Sequence, residues 1–255
     1  MCAPPANHRS RRQRYDEMQK LTIRPQDNFF YLFAALLVFT VVGPVLTVSL
    51  GSLGFVVAEA SLSATLVIAL WSLHSSRTAF RGGIALVVVN VLATAAWFLL
   101  GSQTADLLSK ASGLAFLILV SVVAAIQVFR RDRVDLNKVV GALCIYFLIG
   151  AIWAMLFQLL DGVSPGSFSG LEGYAGHALS WRFIYFSFVT LTTLGYGDVL
   201  PLTIYAETLV FLEAILGQFY LAVLLAGLIS AYLSDRDRPP PAGTETSQRP
   251  LETES

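Results

Sequence analysis

Apolar residues in this chain gather into long runs instead of alternating with polar ones. Six runs stand out: Phe29 to Leu50, Phe55 to Leu73, Ile84 to Leu100, Ala111 to Phe129, Val139 to Leu160 and Ile204 to Leu233. Each approaches the roughly 20 residues that a helix needs to cross a hydrocarbon core. The pattern therefore predicts six transmembrane helices. A seventh apolar stretch, Trp181 to Thr192 ("WRFIYFSFVTLT"), is too short to join them. As a helix its twelve residues reach about 18 Å, against a core of about 30 Å. Such a segment enters the membrane without spanning it. It sits within the connection Asp161 to Thr203, whose first part, "DGVSPGSFSGLEGYAG", is glycine-rich and reads as an exposed loop.

Composition supports an all-α membrane protein. Of 255 residues, 55% are hydrophobic and 13% charged, where a soluble domain carries about 25% charged residues. Mean hydropathy is +0.66. Net charge is zero, but the charges are unevenly placed. Six Lys and Arg precede the first run, Arg77 and Arg81 separate the second and third, Arg130, Arg131, Arg133 and Lys138 separate the fourth and fifth, and three follow the sixth. The alternate connections hold only Lys110 and Arg182. By the positive-inside rule both termini are cytoplasmic in a multi-pass protein. The first run is too long, and followed by too many others, to be a cleaved signal. Cys2 and Cys144 offer neither a disulfide framework nor a metal site.

The short re-entrant helix leads into Thr193 to Asp198, "TLGYGD". Non-helical backbone at membrane depth is tolerated only where protein or a watery cavity surrounds it. Gly195 and Gly197 accept positive φ, so successive carbonyls can turn to one side, and aligned carbonyl oxygens are cation ligands. The preceding helix would aim its partly negative carboxyl end toward the membrane interior. These six residues resemble the selectivity-filter signature of potassium channels, T-V/L-G-Y-G-D. Five fixed positions would coincide by chance in about one chain of this length in ten thousand.

The resemblance covers roughly Val139 to Leu233, a pore module of outer helix, pore helix (181–192), filter (193–198) and inner helix (204–233). It implies that the carbonyls of Thr193, Leu194, Gly195 and Tyr196, with the Thr193 hydroxyl, replace the hydration shell of K⁺. Gly197 completes the filter. It also implies a homotetramer, because one strand supplies one quarter of each ligand ring. By the same resemblance Tyr196 packs against pore-helix aromatics such as Tyr185 and Phe186, and Asp198 concentrates cations at the outer mouth. Two positions depart from the commonest pattern: Leu194 stands where Val is usual, and Val189 where some bacterial members carry a glutamate behind the filter. Leu is an accepted variant, whereas an apolar Val189 removes one route to slow filter inactivation.

The inner helix holds Gly217 and Gly227, each costing up to about 1 kcal/mol relative to alanine. Gly217 lies where the family places a gating hinge, and close packing is the alternative. Glu213, one turn earlier, is ionisable at membrane depth. It would serve as filter support in place of the missing pore-helix glutamate, or make a simple interhelical bond. Glu207 is placed near the outer interface.

The first four runs, 29–133, occupy the position of a voltage sensor. The fourth, Ala111 to Phe129, carries no charge. One charge crossing the field is worth about 2.3 kcal/mol per 100 mV, so this segment gives the field nothing to move. Glu59 and Asn90 are the polar groups of runs two and three, and conventional voltage sensing is not expected. Gly43-Pro44 predicts a kink, and Gln127 and Gln158 predict interhelical bonds. His177 near the outer mouth is either a site of external pH sensitivity or simply solvated. Residues 1–28 form a basic cytoplasmic tail and 235–255 a disordered one.

The expected function is passive, K⁺-selective conduction in a plasma membrane, by analogy a bacterial inner membrane, with K⁺ and lipid as partners and no cofactor. The rivals are a non-selective cation channel, a K⁺ transporter subunit and a non-conducting modulatory subunit. No pairing of nucleophile and base, metal-ligand spacing or phosphate loop marks an enzyme, and nothing points to nucleic acid.

Overall fold

The computed structural model describes residues 28–50, 77–129, 136–236. The second predicted span, Glu59, the Arg130–Arg133 cluster and both tails lie outside these residues. Among the described residues the regular structure is helical apart from a single two-residue antiparallel pairing. Its helices are α1 (Asn28–Leu37), α2 (Gly43–Leu50), α3 (Arg77–Leu100), α4 (Gln103–Val128), α5 (Leu136–Val163), α6 (Gly176–Leu191) and α7 (Ile204–Arg236). Four helical segments are long and apolar enough to cross a membrane: Phe29–Ser49, Thr104–Val128, Asn137–Val163 and Ile204–Gly227. A shorter apolar segment, Arg81–Ala96, lies within α3.

The kink expected at Gly43-Pro44 takes a particular form. A π-helical turn, Val38–Val42, joins α1 to α2. Pro44 has no N–H to give and its ring crowds the carbonyl one turn earlier, so a widened turn ahead of it is a natural accommodation. Thr40 and Thr47 hydroxyls donate back to the Leu36 and Gly43 carbonyls, at 2.5 and 2.8 Å. The widened region receives the ring of Trp181 from α6. Trp181 lies against Phe39, ring centroids 4.8 Å apart, and donates its Nε1–H to Thr47 Oγ1 at 3.1 Å.

Packing follows the chain. α3 lies on α4, α4 on α5, and α1 returns to α5, while α6 is held between α5 and α7. A first apolar core unites α1, α4 and α5 through Leu32, Phe116, Val120, Cys144 and Leu148. The α3–α4 seam is polar instead of charged. Asn90 Nδ2 donates to the Ser109 carbonyl at 2.9 Å, and Thr94 and Ser109 hydroxyls meet at 2.8 Å. Lys110 pairs with Asp106 one turn away. Interhelical side-chain bonds of this kind hold helices together in lipid, where burial supplies little preference for helix over tail.

The second core is aromatic and joins α5, α6 and α7 with the connections between them: Trp153, Phe157, Phe168, Phe183 and Phe186 with Val199 and Ala206. Phe168 comes from the glycine-rich connection, so that connection is not simply an exposed loop. β1 (Phe168–Ser169) pairs with β2 (Leu200–Pro201), Phe168 opposite Pro201 and Ser169 opposite Leu200. Ser167 is fully buried, and its carbonyl takes the Leu202 N–H at 2.8 Å. One large ring among the glycines is enough to anchor the segment.

A candidate ion-conducting site

The re-entrant helix α6 begins five residues earlier than the apolar pattern predicts, at Gly176, and ends at Leu191. Its 16 residues reach about 24 Å, still short of a membrane core. Phe183, Phe186 and Ser187 bury one side of it, and Val189 and Leu191 bury its end. Gln158 of α5 makes its interhelical bond here, accepting from the Ser180 hydroxyl at 2.9 Å.

The helix does not simply stop; its last carbonyls hold the next residues. Thr192 N–H donates to Phe188 O at 3.1 Å, Thr193 N–H to Thr190 O at 2.8 Å and Leu194 N–H to Val189 O at 2.9 Å, with Gly195 N–H also reaching Val189 O at 3.3 Å. Val189 therefore supports the TLGYGD run through its backbone, with its side chain buried. Thr193, Gly195 and Gly197 have φ of 60°, 57° and 75°. Every second residue is left-handed. At the two glycines this costs little. At Thr193, the one non-glycine residue with positive φ among the described residues, a β-branched side chain makes it a strained outlier, of the kind that persists where surrounding structure over-determines it.

Residues 192–198 are all exposed, bounded by buried Leu191 and Val199. Leu194 is 58% and Tyr196 66% exposed. Within the chain Tyr196 is thus not packed on Phe186, which turns the other way, into the aromatic core beside Phe157 at 5.2 Å. Thr193 sits over α7, its hydroxyl donating to the Thr192 carbonyl at 2.7 Å and accepting from Gln218 Nε2 at 3.3 Å.

Gly217 makes that approach possible. A Cβ there would collide with the Leu191 carbonyl oxygen and press on the Leu191 side chain. α7 runs through Gly217 without a break, so in this conformation the glycine is a point of close contact. Glu213, one turn earlier, is fully buried. The Ser187 hydroxyl oxygen lies 2.5 Å from Glu213 Oε1 and 2.7 Å from the Gly150 carbonyl oxygen of α5.

At the other end of the run, Asp198 is already paired. Arg182 NH2 lies 3.0 Å from Asp198 Oδ2, and its guanidinium stacks over the Tyr174 and Tyr185 rings, 5.2 and 5.0 Å from their centroids. The Tyr185 hydroxyl also interacts favourably with the charged Asp198 carboxylate. Desolvation pushes the Asp198 carboxyl up, but the Tyr185 hydroxyl, the backbone N–H groups of Asp198 and Val199 and the Arg182 cation outweigh it, leaving it below the usual carboxylate range. Arg182 of α6 thus offsets the charge of Asp198, the residue expected to concentrate cations at an outer mouth. Sequence reading missed Arg182, Ser187 and Trp181. The lone basic residue in a long apolar and glycine-rich connection was the available signal for Arg182. Among the described residues no group of three His, Cys, Asp or Glu gathers to hold a metal ion.

Comparison with known proteins gives a match over this part of the chain. A family model described as "Ion channel" matches residues 141–234, which contain α5 after its first turn, α6, the TLGYGD run and most of α7. The chain is also similar to two-pore potassium channel 5 of Arabidopsis thaliana, 32% identical over 101 residues, or 38% of this chain and 24% of the relative. It therefore spans about a quarter of that relative's length. No solved structure gives a match. Over residues 141–234 the chain is thus similar to ion channels, and it bears a likeness to a potassium channel.

Proposed function

We propose that the chain is one subunit of a homotetrameric, K⁺-selective channel that conducts passively down the electrochemical gradient. The observation that carries this reading is the exposed run 192–198, left-handed at every second residue and gripped at both ends by buried residues. Backbone left bare at membrane depth needs a protein or water surround, and three further copies about a common axis supply it. The carbonyls of Thr193, Leu194, Gly195 and Tyr196 then replace the hydration shell of K⁺, four oxygens to a ring. The apolar α7, with Phe211, Ile215, Phe219 and Val223 all exposed, faces neighbouring copies and lipid. Six spans with both termini cytoplasmic fit the charge pattern, in a plasma membrane of bacterial type. The uncharged stretch of α4 from Ala111 to Val128 and the polar α3–α4 seam support conduction without conventional voltage sensing.

The test is K⁺ efflux from liposomes holding the purified chain, with cross-linking to count subunits. Efflux and a four-fold ladder are expected from the native chain. Gly195→Val places a branched side chain at φ 57°, and efflux should fall at least tenfold. Equal efflux from both chains, or a ladder ending at two, would contradict the proposal.

A further inference from the structure

We propose that Glu213 carries a proton and donates it to Ser187, so that a neutral carboxyl links the pore helix to both of its neighbours. The argument is a count of hydrogens. Ser187 Oγ makes two short contacts, 2.7 Å to the Gly150 carbonyl oxygen and 2.5 Å to Glu213 Oε1. Each requires a hydrogen between the oxygens, since two bare lone pairs repel at such distances. The carbonyl brings none and the serine brings one. Spent toward Gly150, the serine hydrogen leaves the second contact to a hydrogen on Glu213 Oε1. Were Glu213 ionised, two acceptors would share the single serine hydrogen.

The surroundings agree with that assignment. Glu213 and Ser187 are fully buried, and Glu213 Oε2 has no hydrogen-bond partner. A carboxylate oxygen left orphaned in an apolar interior is costly, whereas the carbonyl oxygen of a neutral acid tolerates that place far better. The ion pairs among the described residues, Lys110–Asp106 and Arg182–Asp198, leave Glu213 out.

The link runs from α5 through α6 to α7 in one line: Gly150, Ser187, Glu213. Gly150 allows α6 to come close enough, since a Cβ there would meet the Phe188 ring at 2.8 Å. Ser187 precedes by one residue the carbonyls of Phe188, Val189 and Thr190, which grip the N–H groups of residues 192–195. Resting on the channel reading above, Glu213 is a positioning residue: it holds α6 in place and, through those carbonyls, the filter. It touches no permeant ion.

Infrared difference spectra of the full chain in lipid at neutral pH test the proton directly. The native chain minus Glu213→Gln should show one protonated-carboxyl C=O band that shifts in D₂O. In Ser187→Ala the band should persist and move to higher frequency, because the acid loses its acceptor. Reversal potentials test the positioning role. Glu213→Gln, a neutral donor of the same shape, should keep K⁺ preference within about threefold of native, while Glu213→Ala loses at least tenfold. A missing band, or a Glu213→Gln chain as unselective as Glu213→Ala, would overturn the proposal. The band does not require conduction, so a silent native chain that shows it would refute the channel reading and leave the proton in place.

Discussion

Replacing Gly217 by alanine separates close packing from intrinsic helix preference, because α7 carries its own control. Gly217 and Gly227 both lie within one continuous helix. Alanine at either site gains up to about 1 kcal/mol of helix propensity. At Gly227 a Cβ meets nothing within 4 Å, so the gain stands. At Gly217 the Cβ falls on the Leu191 carbonyl oxygen, which is backbone and cannot rotate aside. Forcing an extra methyl into a filled site costs about 1–3 kcal/mol. The net effect at Gly217 is a loss of up to about 2 kcal/mol, and the two variants should differ by about 2 kcal/mol at mid-range. At about 2–4 °C per kcal/mol for a chain of this size, Gly227→Ala melts about 4–8 °C above Gly217→Ala in the same detergent. Gly217→Ala should also weaken the Gln218–Thr193 contact and with it K⁺ flux. If both alanines raise Tm together, Gly217 is not a contact point and the α6–α7 geometry described here is wrong.

Three further perturbations address other parts of the site. Arg182→Gln unmasks one negative charge per chain at Asp198, so K⁺ current should rise at low ionic strength and converge with native in concentrated salt, the Debye length falling from about 30 Å at 0.01 M to about 3 Å at 1 M; a rise that persists at high salt would contradict the electrostatic cause. The Asp198 carboxyl is held below its usual range, so its pairing is complete above about pH 4 and is lost only as pH falls through the lowered value; external acidification from neutral to about pH 5 should leave K⁺ current unchanged, and a current that titrates in that window would count against the Arg182 pairing. Trp181→Phe removes the bond to Thr47 and should cost about 0.5–1.5 kcal/mol, with Thr47→Val giving no additional loss in the double variant, both read from thermal unfolding.

Much of the segment from α6 to α7 was legible in the chain because its chemistry is local. TLGYGD shows itself by composition: two glycines around a tyrosine, at the end of an apolar stretch too short to span. The helix boundaries were legible to within a few residues for α5 and α7, since their apolar runs end at charges. α6 was read five residues short because "GHALS" looks like the glycine-rich connection before it, and only the burial of Phe183 and Phe186 on α5 fixes it as helix. Contacts that join distant parts of the chain were not legible. Ser187 is one hydroxyl in an apolar helix, and its meaning depends on Glu213 and Gly150, both far away in sequence. The pairing of Asp198 was hidden for the same reason, because Arg182 becomes its neighbour only when the chain turns back after α6. Gly217 shows the limit most plainly: a glycine in mid-helix reads equally as hinge or contact until the Leu191 carbonyl is found beside it.

The most direct test of K⁺ selectivity is the reversal potential of the purified chain in a planar bilayer, with K⁺ on one side and Na⁺ at equal concentration on the other. The account predicts a reversal displaced far toward the K⁺ equilibrium potential, abolished by Gly195→Val. A native current reversing near zero, or no current across the full voltage range, would contradict a filter built from Thr193 to Tyr196.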